Sequence, residues 1–471
     1  MPSQRHAFTV RSVHPARAQK SAASEGTELA TPFFGSLHEK IEPVLESATM
    51  RPTRVRYWVL VFTVTLAVVT YIDRVAISFA LPYIGKDLNL DSIQKGWVLT
   101  AFALAYSIFE IPGGFLGDWM GPRRVILRIV LWWSFFTAAT GWAWNYASLL
   151  TTRFLFGAGE AGCFPNLTKM FTIWLPARER VRAQGLMWMS ARWGGAFTPP
   201  LAAAVITWVG WRHAFEIFGV LGVIWAGSFA LWYRDNPLDN PKLNAAERAL
   251  VRPAATLILG PVRPPWRKLA SSGRVWLLCW QYFFLSYGWY FNITWLPTYL
   301  REARGMDVAQ AALFGILPLF MGGLGNPVSV FIGERMLRWT GSVDRTRRIV
   351  ACFGYTGACV SLLATTYIQD ARAAVISISL ASFFNDLAMP PSWSATMDMG
   401  GRYAGTLAGA MNSWGNLGGA VAPAVIGYVL AWTNSNWNVA FYISAVLYAA
   451  AIPCWIFLDS VTPLDLPTPT E

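Results

Sequence analysis

The chain has 471 residues, of which 54% are hydrophobic and only 14% charged. That balance excludes an ordinary soluble globular domain and specifies a polytopic helical membrane protein. A net charge of +12 invites nucleic acid as a partner. The basic residues nevertheless fall in short clusters between apolar spans, as cytoplasmic loops do, and nucleic-acid binding is set aside.

Residues 1–56 are polar and read as a disordered cytoplasmic tail. The first 24 residues contain no acid, as in an organellar transit peptide. Met50-Arg51-Pro-Thr-Arg54-Val-Arg56 also has the form of a natural start ahead of the first span, and a plain extension of no importance is the preferred reading.

Twelve apolar stretches follow, each long enough to cross ~30 Å of hydrocarbon. They run over about 57–81, 96–117, 124–144, 147–174, 184–208 and 213–233, then 275–300, 309–333, 348–368, 373–397, 403–431 and 437–459. The interval 234–274 holds Pro237, Pro241, Pro253, Pro261, Pro264 and Pro265 among basic residues and reads as a cytoplasmic linker. The chain thus divides into a first six-helix bundle (57–233), the linker, a second six-helix bundle (275–459) and a cytoplasmic tail (460–471). Arginine clusters at 51–56, 123–128, 178–182 and 335–348 alternate with loops that carry few basic residues. Positive-inside then places both termini and the linker in the cytoplasm. Six plus six spans point to an all-α fold of two pseudo-two-fold-related bundles rocking about a midplane site.

Within the fourth span lies Arg153-Phe-Leu-Phe-Gly157-Ala-Gly159-Glu160-Ala-Gly162-Cys-Phe-Pro165-Asn166. Arg153 and Glu160 are seven residues apart, so a helix presents both on one face. A charge at the bilayer centre costs ~2.5–3.5 kcal/mol even on a lenient scale, which marks the pair as a transport site facing an internal cavity. Pro165 is expected to bend this span. Pro199-Pro200 and Pro390-Pro391 are expected to break the fifth and tenth.

All five cysteines lie in apolar spans, and the four histidines form no ligand set. Neither HExxH nor GxxxxGK[ST] is present, so zinc hydrolysis and direct ATP drive lack support, and no metal or cofactor is expected. No nucleophile–base set suggests an enzyme.

Between the second and third spans runs Gly114-Phe-Leu116-Gly-Asp118-Trp-Met-Gly121-Pro-Arg123-Arg124. Asp118 can accept from a helix N-terminus and from Arg123 and Arg124, forming a cytoplasmic gate. Its counterpart in the second half, Gly333-Glu334-Arg335-Met-Leu-Arg338, is degenerate. The spacing resembles the loop signature of the major facilitator superfamily. Tyr71-Ile-Asp73-Arg74 in the first span, the Arg153–Pro165 stretch and Trp174-Leu-Pro176-Ala-Arg178-Glu179-Arg180 narrow the resemblance. So do Tyr287-Gly288-Trp-Tyr290-Phe-Asn292 in the seventh span and Gly401-Arg402-Tyr403-Ala-Gly405 through Asn412 to Gly419 in the eleventh. Together they resemble the anion:cation symporter branch, whose bacterial members carry hexuronates, galactonate, glucarate and tartrate.

That resemblance implies substrate contacts at Arg74, Tyr106 and Arg153, with Tyr290, Asn292, Ser392, Trp393 and Asn412 lining the cavity from the second half. It implies proton-coupling sites at Asp73 and Glu160. Galactonate carriers use a fifth-span amide where this chain has Ala191, and the adjacent Arg192 suggests a substrate with two carboxylates. The expected function is proton-coupled symport of a sugar acid by alternating access, in a monomer embedded in a bacterial inner membrane. Sodium-coupled or exchange transport of phosphate or a dicarboxylate such as tartrate is the alternative. An organellar membrane and a non-transporting sensor stand behind these.

Overall fold

The computed structural model describes residues 51–256, 264 and 266–464. The expected N-terminal tail to residue 50 lies outside the described residues. Pro52–Glu471 falls into one compact unit. Among the described residues there is no strand.

Helices α1 (Tyr57–Asp87), α2 (Ser92–Met120) and α3 (Pro122–Gly141) are followed by α4 (Tyr146–Glu160), α5 (Cys163–Trp174) and α6 (Ala177–Trp232). Two short helices, α7 (Ala245–Thr256) and α8 (Trp266–Ser271), occupy the interval expected as a linker. Next come α9 (Gly273–Thr294), α10 (Val308–Thr340), α11 (Val343–Thr365), α12 (Ala371–Leu387), α13 (Met389–Gly400), α14 (Ala404–Trp432) and α15 (Trp437–Phe457).

Seven helical runs among the described residues are long and apolar enough to cross a membrane. Two of these hold a pair of crossings: Ala177–Trp232, broken at Gly210, and Ala371–Trp432, which contains α12, α13 and α14. The remaining crossings are α3, which starts among three arginines, the interrupted α4–α5, and α9, rich in Trp and Tyr. The arrangement accounts for the twelve spans that the sequence predicts.

Packing shows the internal symmetry. In the first half α1 packs on α6, α3 on α6, α2 on α4 and α3 on α4. The second half repeats this with α9 on α14, α11 on α15, α10 on α12 and α11 on α12. Two equivalent seams join the halves, α2 against α14 and α6 against α10. At the first seam, a Cβ on Gly114 would lie 2.3 Å from the Gly405 carbonyl, so only glycine permits this approach. Apolar side chains cover the exterior, and Trp144, Trp208, Tyr367 and Trp432 stand exposed at the end away from the basic loops, as an interfacial belt does.

Two proline expectations change. Pro199 and Pro200 lie inside α6 without breaking it, and the non-helical residue is Gly210 (φ 78°). The fourth span breaks at Ala161–Gly162 rather than at Pro165. Gly162 takes φ 83° and caps α5, whose first turn contains Pro165. Proline costs little there, since the first-turn N–H groups lack helical acceptors anyway. At Ala388 the tenth span does break, with Pro390 and Pro391 opening α13.

Candidate functional site

The middle of α1 carries Asp73 and Arg74, and the last turn of α4 ends on Glu160 at the helix break. Arg74 Nε donates to Glu160 Oε1 in a close ion pair. Its guanidinium lies 4.4 Å from the Tyr106 ring centroid and 5.4–5.6 Å from those of Phe102, Phe164 and Tyr71. Arg153 is 1% exposed, and its guanidinium sits 4.3 Å from the centroid of Phe156. It feels the charges of both Asp73 and Glu160. The structure thus gathers Asp73, Arg74, Tyr106, Arg153 and Glu160 into one cluster on α1, α2 and α4.

Many polar atoms of this cluster have no partner in the protein. Both carboxylate oxygens of Asp73, Oε2 of Glu160, Nη2 of Arg74, Nε and Nη1 of Arg153 and the Tyr106 hydroxyl are buried without a hydrogen bond. Buried polar groups are almost always paired, and an unpaired charge costs several kcal/mol. A concentration of such atoms offers donors and acceptors to a small ligand. The guanidinium edges suit an oxyanion, and the carboxylates suit protons.

The second half is different. Tyr290 donates its hydroxyl to Asn416 Oδ1 (3.3 Å) and lies within electrostatic reach of Arg74. Asn412 faces the cluster indirectly, donating Nδ2 to Glu110 Oε1 at 2.8 Å. Asn292 donates to Ser382 Oγ (3.5 Å) and lines a small cavity between α9, α11, α12 and α15, inside the second half. Ser392 Oγ has one proton, which it donates to the Ala388 carbonyl (2.6 Å) with Gln281 Oε1 (3.2 Å) as the second acceptor within reach. Trp393 Nε1 donates to the Tyr282 hydroxyl (2.9 Å). Its ring packs on Trp188, which stacks on Phe164 beneath Arg74. Ser392 and Trp393 are therefore engaged within the scaffold, Asn292 lines its own cavity with Oδ1 unpartnered, and none of the three bonds to Arg74 or Arg153.

Residues 63–423 match the Major Facilitator Superfamily. The chain belongs to that superfamily. It is 35% identical over 418 residues to the probable sulfoacetate transporter SauU of Cupriavidus necator, covering 88% of this chain and 96% of the relative. It is 28% identical over 442 residues to the probable galactarate/D-glucarate transporter GudP of Escherichia coli, covering 89% and 97%. The crystal structure of the human organic anion transporter MFSD10 (TETRAN) has the same fold, with a TM-score of 0.65 at 16% identity over 84% of this chain and 99% of that one. The chain is a multi-pass membrane transporter of the major facilitator superfamily, not an enzyme.

The gate differs from the sequence expectation. Asp118 pairs with Lys169 Nζ at 2.9 Å rather than with Arg123 or Arg124. It also accepts from Gly405 N (3.1 Å), Thr406 N (2.6 Å) and Thr406 Oγ1 (2.6 Å) at the start of α14. Lys169 donates in addition to the Arg402 carbonyl. Arg123 turns away. Its backbone N–H donates to Asp235 (2.9 Å) and Nη2 to the Ala230 carbonyl (2.7 Å), while Arg124 is exposed. The reason is directional. Asp118 lies in the last turn of α2 on the face toward α14, and the arginines begin the next helix beyond Gly121 (φ 85°).

Arg192 is likewise not a free cation. Nε and Nη2 donate to Asp386 at 2.8 and 3.1 Å, and the guanidinium stacks 3.9 Å from the Trp289 ring centroid. Three partners escaped the sequence reading: Glu110, Lys169 and Asp386. Glu110 and Asp386 are single charges inside apolar spans, and Lys169 shares its span with Arg153 and Glu160.

Proposed function

We propose that this transporter carries a small organic anion together with protons by alternating access, with Arg74 and Arg153 as the anion clamp and Asp73 and Glu160 as the proton acceptors. The observation that carries this reading is the set of unpartnered N–H groups on one buried and one partly buried guanidinium, Arg153 and Arg74, beside two buried carboxylates. A proton on Glu160 removes the charge that holds Arg74 and frees its fork for substrate; a proton on Asp73 lowers the counter-charge around Arg153. Loading two protons with the anion reduces the charge that must cross the low-dielectric midplane. Moving one net charge across 100 mV is worth about 2.3 kcal/mol, so the proton count decides whether the potential helps uptake.

The two six-helix halves are the moving bodies in this reading, and the basic loops face the cytoplasm. The polar contacts between the halves run from Arg180–Asp398 (3.0 Å) at the basic-loop end to Arg192–Asp386, as befits a carrier sealed on its cytoplasmic side. A sugar acid of the hexuronate or aldarate type is the preferred substrate. The relation to SauU favours a second candidate, a short dianion such as sulfoacetate. Uptake by proteoliposomes under an inward proton gradient, with D-glucarate, D-galacturonate, sulfoacetate, tartrate and phosphate compared, tests the reading. Accumulation of one organic acid, abolished by an uncoupler and indifferent to sodium, is expected. Sodium dependence, or transport of phosphate alone, would overturn it.

A further inference from the structure

The cluster on α1 and α4 is not the whole of the buried charge in the first half. Glu110, on α2, is 0% exposed and joins three elements. Its Oε1 accepts from Asn412 Nδ2 on α14 at 2.8 Å, across the seam between the halves. Its Oε2 accepts from the backbone N–H of Gly162 at 3.4 Å, in the break two residues after Glu160. The charged and titratable groups around it are Arg74 from α1, Tyr106 from its own helix, Cys163 from α5 and Tyr290 from α9, with Glu160 beyond Tyr106. From α14 the facing group is the neutral amide of Asn412. Glu110 therefore touches the anion cluster on one side and the moving seam on the other.

Charge counting sharpens this. Asp73, Glu110 and Glu160 set three carboxylates against the guanidiniums of Arg74 and Arg153, so the fully ionised group carries −1 before any anion enters. Each negative charge brought by a substrate deepens that imbalance in a region of low dielectric, where protonation is the available relief. Asp73 and Glu160 lie wholly within the first half. Glu110 alone of the three bonds to the second half.

We propose that Glu110 is a third proton-accepting carboxylate of the transport cycle, and that its protonation loosens the α2–α14 seam. The inference rests on the proton-coupled reading above. The step takes one proton onto a carboxylate oxygen and turns a charge-assisted amide–carboxylate bond into a neutral one of roughly half the strength. The seam has few other side-chain bonds at this level: Ser413 Oγ donates to the Ser107 carbonyl at 3.0 Å, and Gly409 lies against the Glu110 backbone. Loss of the charge at Glu110 is transmitted to Asn412 and hence to the opening of the basic-loop end.

The test reads conformation without any substrate. Spin labels at the exposed positions 124 and 335, in full-length protein with its native cysteines replaced by serine, report the separation of the basic-loop ends in lipid nanodiscs by pulsed dipolar spectroscopy. The long-distance population is expected to grow several-fold from pH 8 to pH 5. Glu110→Gln should show the enlarged population already at pH 8 and a flattened titration. Asn412→Leu keeps the acid but removes its donor, and should raise the midpoint by about one pH unit. A purely structural role moves no midpoint, and if Glu110→Gln does not fold, Asn412→Leu decides alone. Titrations in both variants identical to the parent overturn the role of Glu110 while leaving proton-driven uptake to stand on its own assay. A parent with no pH response overturns the inference too, and the uptake assay then judges the wider reading separately.

Discussion

Two buried charged groups in this transporter have opposite characters. On α1 and α4, Asp73, Arg74, Arg153 and Glu160 share one direct ion pair and leave most of their polar atoms unpartnered. Between α6 and α12, Arg192 meets Asp386 through two bonds, and Asp386 accepts further from Asn326 Nδ2 (3.2 Å) and Asn385 Nδ2 (2.9 Å). Here both oxygens of the carboxylate are fully partnered, although Oδ1 of Asn326 and of Asn385 stays unpaired; a carboxylate held in this way keeps a structure in register, whereas charges without partners store unmet bonding capacity. Charge type is the same in both, and burial too apart from the partly exposed Arg74. Only the accounting of partners separates the proposed clamp from the brace, and that accounting is invisible until the helices are packed.

The comparison breaks most readily at Arg153. Arg153→Lys keeps the charge but removes the planar fork, and uptake is expected to fall by about 100-fold or more while the melting temperature stays near that of the parent. Normal uptake would reject the clamp. Asp386→Asn is the mirror experiment. It strands Arg192 in the interior, and a loss of about 3 kcal/mol of stability is expected, read as a lower melting temperature in detergent. The pair Arg192→Met with Asp386→Leu should recover much of that loss. If the double variant is as unstable as the single one, the brace is more than an ion pair.

A subtler effect is expected at Glu160. Glu160→Gln removes the charge that holds Arg74 but preserves size, so counterflow should persist while gradient-driven accumulation falls towards equilibration. Measuring both in the same vesicles separates coupling from binding. Full accumulation in the variant removes Glu160 from proton transfer.

The spans, their number and the first-half cluster were legible because hydrophobic length and a lone charge in an apolar run are local signals. Arg153 and Glu160 announce themselves as charges in one apolar run, whereas Asp73, Arg74 and Tyr106 are marked by the family resemblance. Partnerships were not legible. Asp118 meets Lys169, and Arg192 meets Asp386, across 51 and 194 positions of chain, and nothing local orders such pairs. Proline misled for a related reason: Pro165 falls in the first turn of α5, where no helical N–H bond is lost, and Pro199 stays inside α6, while the breaks fall at Gly162 and Gly210, whose positive φ costs glycine little.

The smallest predicted effect bears on Ser392, where resemblance and geometry disagree. As a cavity-lining contact, its hydroxyl would bond substrate, and Ser392→Ala would raise KM. In the structure that hydroxyl is 0% exposed and spends its bonds on the Ala388 carbonyl and Gln281 Oε1. Gln281 Oε1 also accepts from the Tyr355 hydroxyl (2.7 Å) and Trp455 Nε1 (3.1 Å), so it stays satisfied when the serine goes. The Ala388 carbonyl sits at the break between α12 and α13 and already accepts from the Ser392 backbone N–H at 3.1 Å. Ser392→Ala is therefore expected to cost about 1 kcal/mol or less and to leave KM unchanged. A several-fold rise in KM at unaltered melting temperature would mean that the second half opens this site to substrate in another conformation, and that its saturated bonds are only one face of the cycle.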